Sequence, residues 1–389
     1  MASNGAYRLL IVAYDASLIH IHTFTKNLRK ENPLAIIHVL TNRKLDSITC
    51  GIKDYVNRII RIRECRFGGK SSRIAAYLKK FSLLFSAFRL SFKRYDVVNI
   101  HFAKPSLLKA MPLIQRMTGN IIISPWGSDV LRLEDERAIS RMRMIYSYAS
   151  GVTISPTYQL GAAIVEKFNY DPHKMYTLRW GVEYVDFIEE VNPNTTVEEA
   201  KAQFGLSGRY VITCGYSSSP SHQHGTIIDA VSSIRDDLPD NLTLLFPFTY
   251  GWASREYVQS IKDKCHSLGL DAVFVEEYLS MENLYDLRMA TDMFVHIQIS
   301  DAGAACVMQY ILCHKKIIHG AWMKYTDLEE IKPLFYYPVV KLDDLAGVIL
   351  NAYHSEGIDI PRGVIDAIMD RSWKKEIKKW DSLFRTFAH

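Results

Sequence analysis

Short apolar runs rich in valine and isoleucine alternate with amphipathic stretches along nearly the whole chain. In the first half the runs fall at residues 7–14, 35–40, 97–102, 121–124 and 152–155. Each is too short for a helix and too continuous for a half-exposed strand, which predicts strands buried on both faces. The stretches between them have helical period. That alternation predicts βαβ units and a parallel sheet covered by helices on both sides. The pattern pauses at the polar run 189–196, which holds Asn192, Pro193 and Asn194, and a helical segment 197–204 follows. It then restarts with strands at 210–215, 242–248, 273–276, 293–297 and 317–320. Two doubly wound α/β domains in series, residues 1–190 and 191–371, are the architecture this predicts. The last segment, 372–389, sets Trp373, Trp380, Leu383 and Phe384 on one helical face. That face needs a packing partner, and a terminal helix crossing back onto the first domain supplies one.

At 389 residues the chain is too long for one ordinary core. With 48% hydrophobic and 23% charged residues it is neither disordered nor collagen-like. No apolar run reaches the roughly 18 residues of a membrane span. The start, Met1 to Gly5, is polar and leads straight into a strand, the pattern of a chain without a cleaved leader. Cys50, Cys65, Cys214, Cys265, Cys306 and Cys313 show no CxxC pairing and no flanking histidine cluster, so reduced thiols in a cytosolic protein are expected, without structural zinc.

The net charge of +5 hides a split. Residues 1–190 carry 28 Lys and Arg against 16 Asp and Glu, leaving 19 and 26 of the chain's 47 and 42 for the remainder. A basic half joined to an acidic half points to an anionic partner for the first: nucleic acid, a membrane surface or a phosphorylated substrate.

Three loops carry candidate chemistry. Asp301-Ala-Gly303-Ala304-Ala305-Cys306 follows a strand and opens a helix, with Gln309 eight residues beyond Asp301. Its small residues let a ligand approach the backbone, and the N–H groups of a helix start suit a diphosphate. An N-capping Asp with a surface Gln is the other reading of that pair. The second loop, Gly215-Tyr-Ser217-Ser218-Ser219, runs on to His224. Its hydroxyls and histidine suit a phosphate, although it has neither GxGxxG nor the P-loop lysine. The third is Trp126-Gly127-Ser128-Asp129, where Asp129 either caps a helix or binds a polyol. Nearby, His101 closes a strand at the end where ligands of open α/β sheets bind.

These motifs, in this order and spacing, resemble a glycosyltransferase of the GT-B fold, and most of all family 4. Asp301 with Gln309 stands where that family carries Glu-x7-Glu, and Gly127-Ser128-Asp129 matches its Gly-x-Asp loop. Arg179-Trp180-Gly181-Val182-Glu183 stands at its Asn-Gly-Val-Asp position, and Ser372-Trp373 begins its returning helix. The family's Arg and Lys after the first strand of the second domain are replaced here by Ser217–Ser219, Gln223 and His224. That loop, with Phe246-Pro-Phe-Thr-Tyr250-Gly251, is similar to the transferases that add 4-acetamido-fucose to lipid-linked intermediates.

The resemblance implies two Rossmann-like domains facing a central cleft. A nucleotide-sugar donor, UDP-, GDP- or TDP-linked, would sit on the second and a glycan or polyprenyl-diphosphate-linked acceptor on the first, in surface polysaccharide biosynthesis. The amides of Gly303, Ala304 and Ala305, with Ser217, Ser218, Ser219 and His224, would hold the diphosphate. Asp301 would hold the donor sugar, Gln309 the ribose, and Tyr250 and Tyr278 would border the donor. Trp126, Gly127 and Ser128 would face the acceptor, and His101 or Asp129 would be the base of an inverting reaction. The chain has no DxD motif in a plausible loop, so transfer without a metal or other cofactor is expected. A catalytically silent subunit and a nucleotide-sugar epimerase on the same fold are the alternatives.

The basic half sharpens at residues 66–94. Arg66, Lys70, Arg73, Lys79, Lys80, Arg89, Lys93 and Arg94 occur there with no acid, around Ile74, Tyr77, Leu78, Phe81, Leu84, Phe85, Phe88 and Phe92. A cationic flank beside an apolar stripe is the profile of a helix, about 70–94, lying on an anionic membrane at the inner face of the cell membrane. A core-facing helix with a basic outer face is the other reading. The chain shows no nucleic-acid-binding motif, and Phe and Leu between the cations suit lipid better than bases.

Overall fold

The computed structural model describes residues 6–14, 16–45, 49–62, 73–155, 158–251, 253–301, 305–323, 336–356 and 360–388, with the backbone alone at 73–81, 158 and 336. The chain forms two compact units, Met1–Gly181 with Trp373–His389, and Val182–Ser372.

The first unit is built on a seven-stranded sheet: β1 (Arg8–Ala13), β2 (Ile36–Thr41), β3 (Arg58–Arg61), β4 (Val97–His101), β5 (Ile121–Ser124), β6 (Gly151–Ile154) and β7 (Met175–Thr177). The order is β3-β2-β1-β4-β5-β6-β7. Every pairing is parallel. The second unit has six strands: β8 (Tyr210–Cys214), β9 (Leu242–Pro247), β10 (Ala272–Val275), β11 (Met293–His296), β12 (Lys316–Gly320) and β13 (Tyr336–Val339). Their order is β10-β9-β8-β11-β12-β13, again all parallel. In both sheets strand order reverses beside the first strand, between β1 and β4 and between β8 and β11. The loops leaving those strands are where an open α/β sheet places its ligand.

The central strands are the apolar runs of the sequence; all five residues of β4 and all six of β9 are buried. The pattern misses β3, β7 and β13. β3 and β7 are short and have no fully buried residue, and β13 lies at the sheet edge with Pro338 in its middle. None of the three needs the doubly buried composition of the central strands; β10, half-buried at the other edge of the second sheet, shows only because its residues are all apolar.

The chain leaves the first unit before the polar run, at Gly181. The helix Glu183–Val191 buries Tyr184 and Val185 against Phe294, Val307 and Ile311 of the second unit. The polar stretch beyond it is therefore a loop inside that unit. Gly181 itself has no room for a side chain, because a Cβ there would stand 2.4 Å from the Trp373 ring.

As its apolar face requires, the C-terminal helix Trp373–Ala388 packs on the first unit, against the helix Leu18–Glu31. Phe24 sits at the centre of the contact, with ring centroids 5.1 Å from Trp380, 6.1 Å from Trp373 and 6.3 Å from Phe384. Trp380 Nε1 donates to the Arg179 carbonyl at 2.9 Å. Buried Asp381 accepts from Tyr7 Oη (2.7 Å), Asn32 Nδ2 (2.8 Å) and Arg385 Nε (2.6 Å). A carboxylate with three donors can be buried without large cost, and it fixes the helix in register on the sheet.

Candidate functional site

In the first unit the ends of β4, β5 and β6 are tied by polar side chains. Asn99 Nδ2 and Thr153 Oγ1 both donate to Ser124 Oγ at 2.8 Å. Beyond them His101 is fully buried, and Phe102 adopts φ +54°, a left-handed turn that a bulky residue takes only under constraint. The His101 ring lies 5.4 Å from Phe24, 5.6 Å from Trp180 and 6.3 Å from both Trp126 and Trp380. This setting strongly disfavours a charge, and burial pulls its pKa down to about 3. Trp126 Nε1 donates to His101 Nδ1 at 3.4 Å. Nδ1 is thus the acceptor, and the proton of the neutral ring sits on Nε2, which has no hydrogen-bond partner among the described residues. At neutral pH His101 presents an N–H rather than a base.

Asp129 is placed by the turn before it. Gly127 has φ +97°, open to glycine alone at little cost, and starts the short helix Ser128–Leu131. Lys167 Nζ closes the far end of that helix, donating to the carbonyls of Val130 (3.0 Å), Leu131 (3.3 Å) and Leu133 (2.9 Å). Asp129 Oδ1 accepts from the Trp126 N–H at 2.9 Å, while Oδ2 is buried without a partner. Burial pushes the carboxyl up to about 7, against hydrogen bonds from backbone N–H groups that pull the other way. A carboxyl poised there can take up a proton near neutral pH. Trp126 thus touches both candidates, through its backbone N–H and its indole. Ser128 is exposed beside them.

In the second unit the loops leaving β8, β9 and β11 are stitched together. Ser218 donates through both N–H (2.8 Å) and Oγ (3.1 Å) to the Tyr250 carbonyl. Gly251 makes this approach possible: its φ is +132°, and a Cβ there would fall 2.5 Å from Ser218 Oγ. Ser217 Oγ meets His222 Nε2 at 2.9 Å, and Ser219 Oγ meets Ser221 Oγ at 2.9 Å. Gln298 bridges to the β11 side, accepting from Tyr216 Oη at 3.1 Å and donating to Ser221 Oγ at 3.3 Å. The serines expected to hold phosphate therefore spend their hydroxyls within the loops.

His224 is removed from the surface altogether. It is fully buried, its ring lies 4.9 Å from Phe248, and Nδ1 meets Tyr257 Oη at 2.8 Å. Burial pulls its pKa down to about 4. A neutral ring packed in the core is not placed to meet a phosphate, which corrects the expectation drawn from the loop sequence.

Asp301 follows β11 and its Oδ2 lies 3.3 Å from His296 Nε2, the buried last residue of that strand. In register beside it on β12 is His319, also buried, with ring centroids 5.3 Å apart. Gly303 and Ala304 lie outside the described residues; Ala305 opens the helix Ala305–Leu312 and is exposed. From that helix Gln309 Oε1 accepts from Arg288 Nε at 3.0 Å. Tyr250 and Tyr278 each expose half their surface. Tyr250 lies within electrostatic reach of Cys306, Arg288, Asp301 and Tyr278. Asp301, Gln309, Tyr250 and Tyr278 therefore stand in one neighbourhood, together with Arg288 and His296, which the sequence did not single out. A histidine ending an apolar run reads as core, and one arginine on an amphipathic helix reads as solvated. No three His, Cys, Asp or Glu side chains among the described residues gather as a metal site.

No family model matches this chain. No curated protein matches it either. Solved structures do, over its whole length. A glycosyltransferase from Rickettsia africae is 13% identical, with 99% of each chain covered and a TM-score of 0.72. Anabaena HepE, solved in complex with UDP and glucose, is 13% identical, with 98% of each chain covered and a TM-score of 0.68. WaaG, a glycosyltransferase involved in lipopolysaccharide biosynthesis, is 11% identical, covering 97% of this chain and 99% of its own, with a TM-score of 0.66. The chain has the GT-B fold of these transferases.

The raised pKa of Asp129 has a sign that can be checked. The folded protein holds this proton up to about pH 7, while the unfolded chain releases it near 3.8. Stability from this group is therefore full below the unfolded value and is lost as pH rises toward 7. Asp129→Asn, which keeps an acceptor for the Trp126 N–H, is expected to gain in unfolding temperature relative to wild type at pH 8 but not at pH 4. A difference independent of pH would contradict the assignment.

Proposed function

We propose that this protein is a glycosyltransferase, moving a sugar from a nucleotide-sugar donor to a glycan or lipid-linked acceptor in surface polysaccharide biosynthesis. The observation that carries the reading is the group of Tyr250, Tyr278 and Asp301, in the loops that leave β9, β10 and β11, with Gln309 on the helix after β11, in a chain whose whole length follows the GT-B fold. That HepE was solved with UDP and glucose, and that WaaG serves lipopolysaccharide synthesis, agree with a nucleotide-sugar donor and a glycan product. The eight-residue spacing of Asp301 and Gln309 supports a family 4-like site, and the loop of Tyr250 supports kinship with 4-acetamido-fucosyltransferases.

In this reading the second unit holds the donor. Asp301, oriented by His296, binds hydroxyls of the donor sugar. The bond between the anomeric carbon and the diphosphate oxygen breaks, its electrons leaving with the diphosphate. Ala305 at the head of its helix contributes an N–H toward that charge, and no divalent metal is required. The first unit supplies the proton acceptor: the acceptor hydroxyl bonds to the anomeric carbon and gives its proton to Asp129. His101, neutral and held by Trp126, offers its Nε2 proton to a substrate oxygen. As base, Asp129 implies attack opposite the leaving group and an inverted anomeric centre.

The acceptor side carries a greasy basic surface. The helix Arg73–Leu90 buries Leu83, Ala87 and Leu90 but exposes Phe85 and Phe88, and Phe92 just beyond is 76% exposed. Arg89, Lys93 and Arg94 are exposed among them. Arg66 and Lys70 lie outside the described residues, as do the side chains from Arg73 to Phe81. No described helix is long and apolar enough to cross a membrane. Exposed aromatics among cations suit peripheral docking on an anionic bilayer, where a polyprenyl-linked acceptor would reside.

Asp301→Ala and Asp129→Asn are each expected to lower transfer about 10²-fold, on the usual scale for such contacts. Rates near wild type in both would contradict the site. Vesicles containing anionic lipid should sediment the protein and about 0.5 M salt should release it, since screening shortens the reach of surface charge. Equal binding to neutral vesicles, or unchanged binding after Phe85→Ser with Phe92→Ser, would contradict docking.

A further inference from the structure

Arg288 ends the helix Met281–Met289 with its side chain buried, 4% exposed. A buried guanidinium is ordinarily paired with a carboxylate, because an uncompensated charge is costly to desolvate. Arg288 has no carboxylate partner among the described residues. Nε donates to Gln309 Oε1 at 3.0 Å and Nη1 to Tyr310 Oη at 2.9 Å, with the guanidinium carbon 4.6 Å from the Tyr310 ring centroid. Both oxygens are neutral, and Nη2 makes no hydrogen bond among the described residues.

This contact also settles the Gln309 amide. Arginine only donates, so Oε1 must face it, and Gln309 is left with its Nε2 donors alone. What remains open on the pair is N–H on both sides and a full positive charge. Such a pair suits a group rich in lone pairs and negative charge, and suits sugar hydroxyls less than a carboxylate at position 309 would.

We propose that Arg288 and Gln309 form a donor-only clamp for phosphate oxygens, supplying from this helix pair the positive charge that the loop of Ser217–Ser219 lacks. Cys306 and Tyr250 lie within reach of the same charge and both are also near Asp301, which, with Gln309 itself, places the clamp beside the candidate donor site. This rests on the nucleotide-sugar reading for its ligand, the diphosphate of the donor, but the clamp itself is tested without a nucleotide.

The decisive variant is Gln309→Glu. It gives Arg288 the carboxylate it lacks and should fold at least as firmly as wild type, judged by its unfolding temperature. Titration calorimetry with inorganic pyrophosphate should show binding to the wild type, weakened at least about tenfold in both Gln309→Glu and Arg288→Met, with partial recovery in Arg288→Lys. Absence of pyrophosphate binding by the wild type, or undiminished binding by Gln309→Glu, would overturn the clamp. Parallel titrations with inorganic phosphate and with nucleoside diphosphates separate the sources of the anion. A clamp that holds pyrophosphate, while no nucleoside diphosphate binds more tightly, leaves the clamp standing and removes the nucleotide-sugar reading. Nucleoside diphosphate binding that survives Gln309→Glu unchanged removes the clamp and leaves that reading intact.

Discussion

Where two neighbouring strands of a parallel sheet send their connections to opposite faces, polar groups at the strand ends lose the partners that a continuous helix layer would give. They have to find one another across the strands, since a buried polar atom without a partner is costly. Both units of this protein are organised by that requirement. In the first, the reversal falls between β1 and β4, and on its β4 side Asn99, Ser124 and Thr153 hydrogen-bond across β4, β5 and β6 next to His101. In the second, Gln298 links Tyr216 to Ser221, and His296 reaches Asp301. These ties set the loops in fixed positions, and the candidate chemistry sits on the loops.

The same constraint sorts the titratable groups. His101, walled by Phe24, Trp126, Trp180 and Trp380, is kept neutral, and the last two of these rings owe their place to the returning C-terminal helix. That helix therefore does more than cover a core: Trp380, stacked beside His101, helps to keep its ring neutral. Asp129, with one oxygen bound and one not, is brought to a pKa near neutrality. Arg288 meets its partial satisfaction in neutral oxygens, which leaves a charge for a ligand to balance.

The sequence was informative where burial is complete. Nine strands show as apolar runs because they are largely buried, β10 shows by its composition alone although it is a half-buried edge strand, and the terminal helix shows because Trp373, Trp380, Leu383 and Phe384 share a face. Of the four edge strands, β3, β7 and β13 carry no such pattern. Asp301 and Gln309 are visible through their place after a strand and in the helix beyond it. Arg288 is not, because its partner comes from another helix and nothing in local spacing joins them. His224 misleads for the same reason: Phe248 and Tyr257, which pack around it, lie on separate elements. Local pattern tells which residues stand on a loop; whether their donors are free or spent depends on neighbours that only the fold brings.

The central claim is that the second unit binds a nucleoside diphosphate through its own side chains and amides. Thermal unfolding of the full chain against UDP, GDP, TDP, CMP and ADP, each with a chelator and with magnesium, tests it most directly. A ligand at 100 times its dissociation constant adds about 2.7 kcal/mol to stability, a rise of several degrees for a protein of this size. One nucleoside diphosphate raising the midpoint in chelator as well as in magnesium is the predicted result. A panel flat under both conditions would contradict the account.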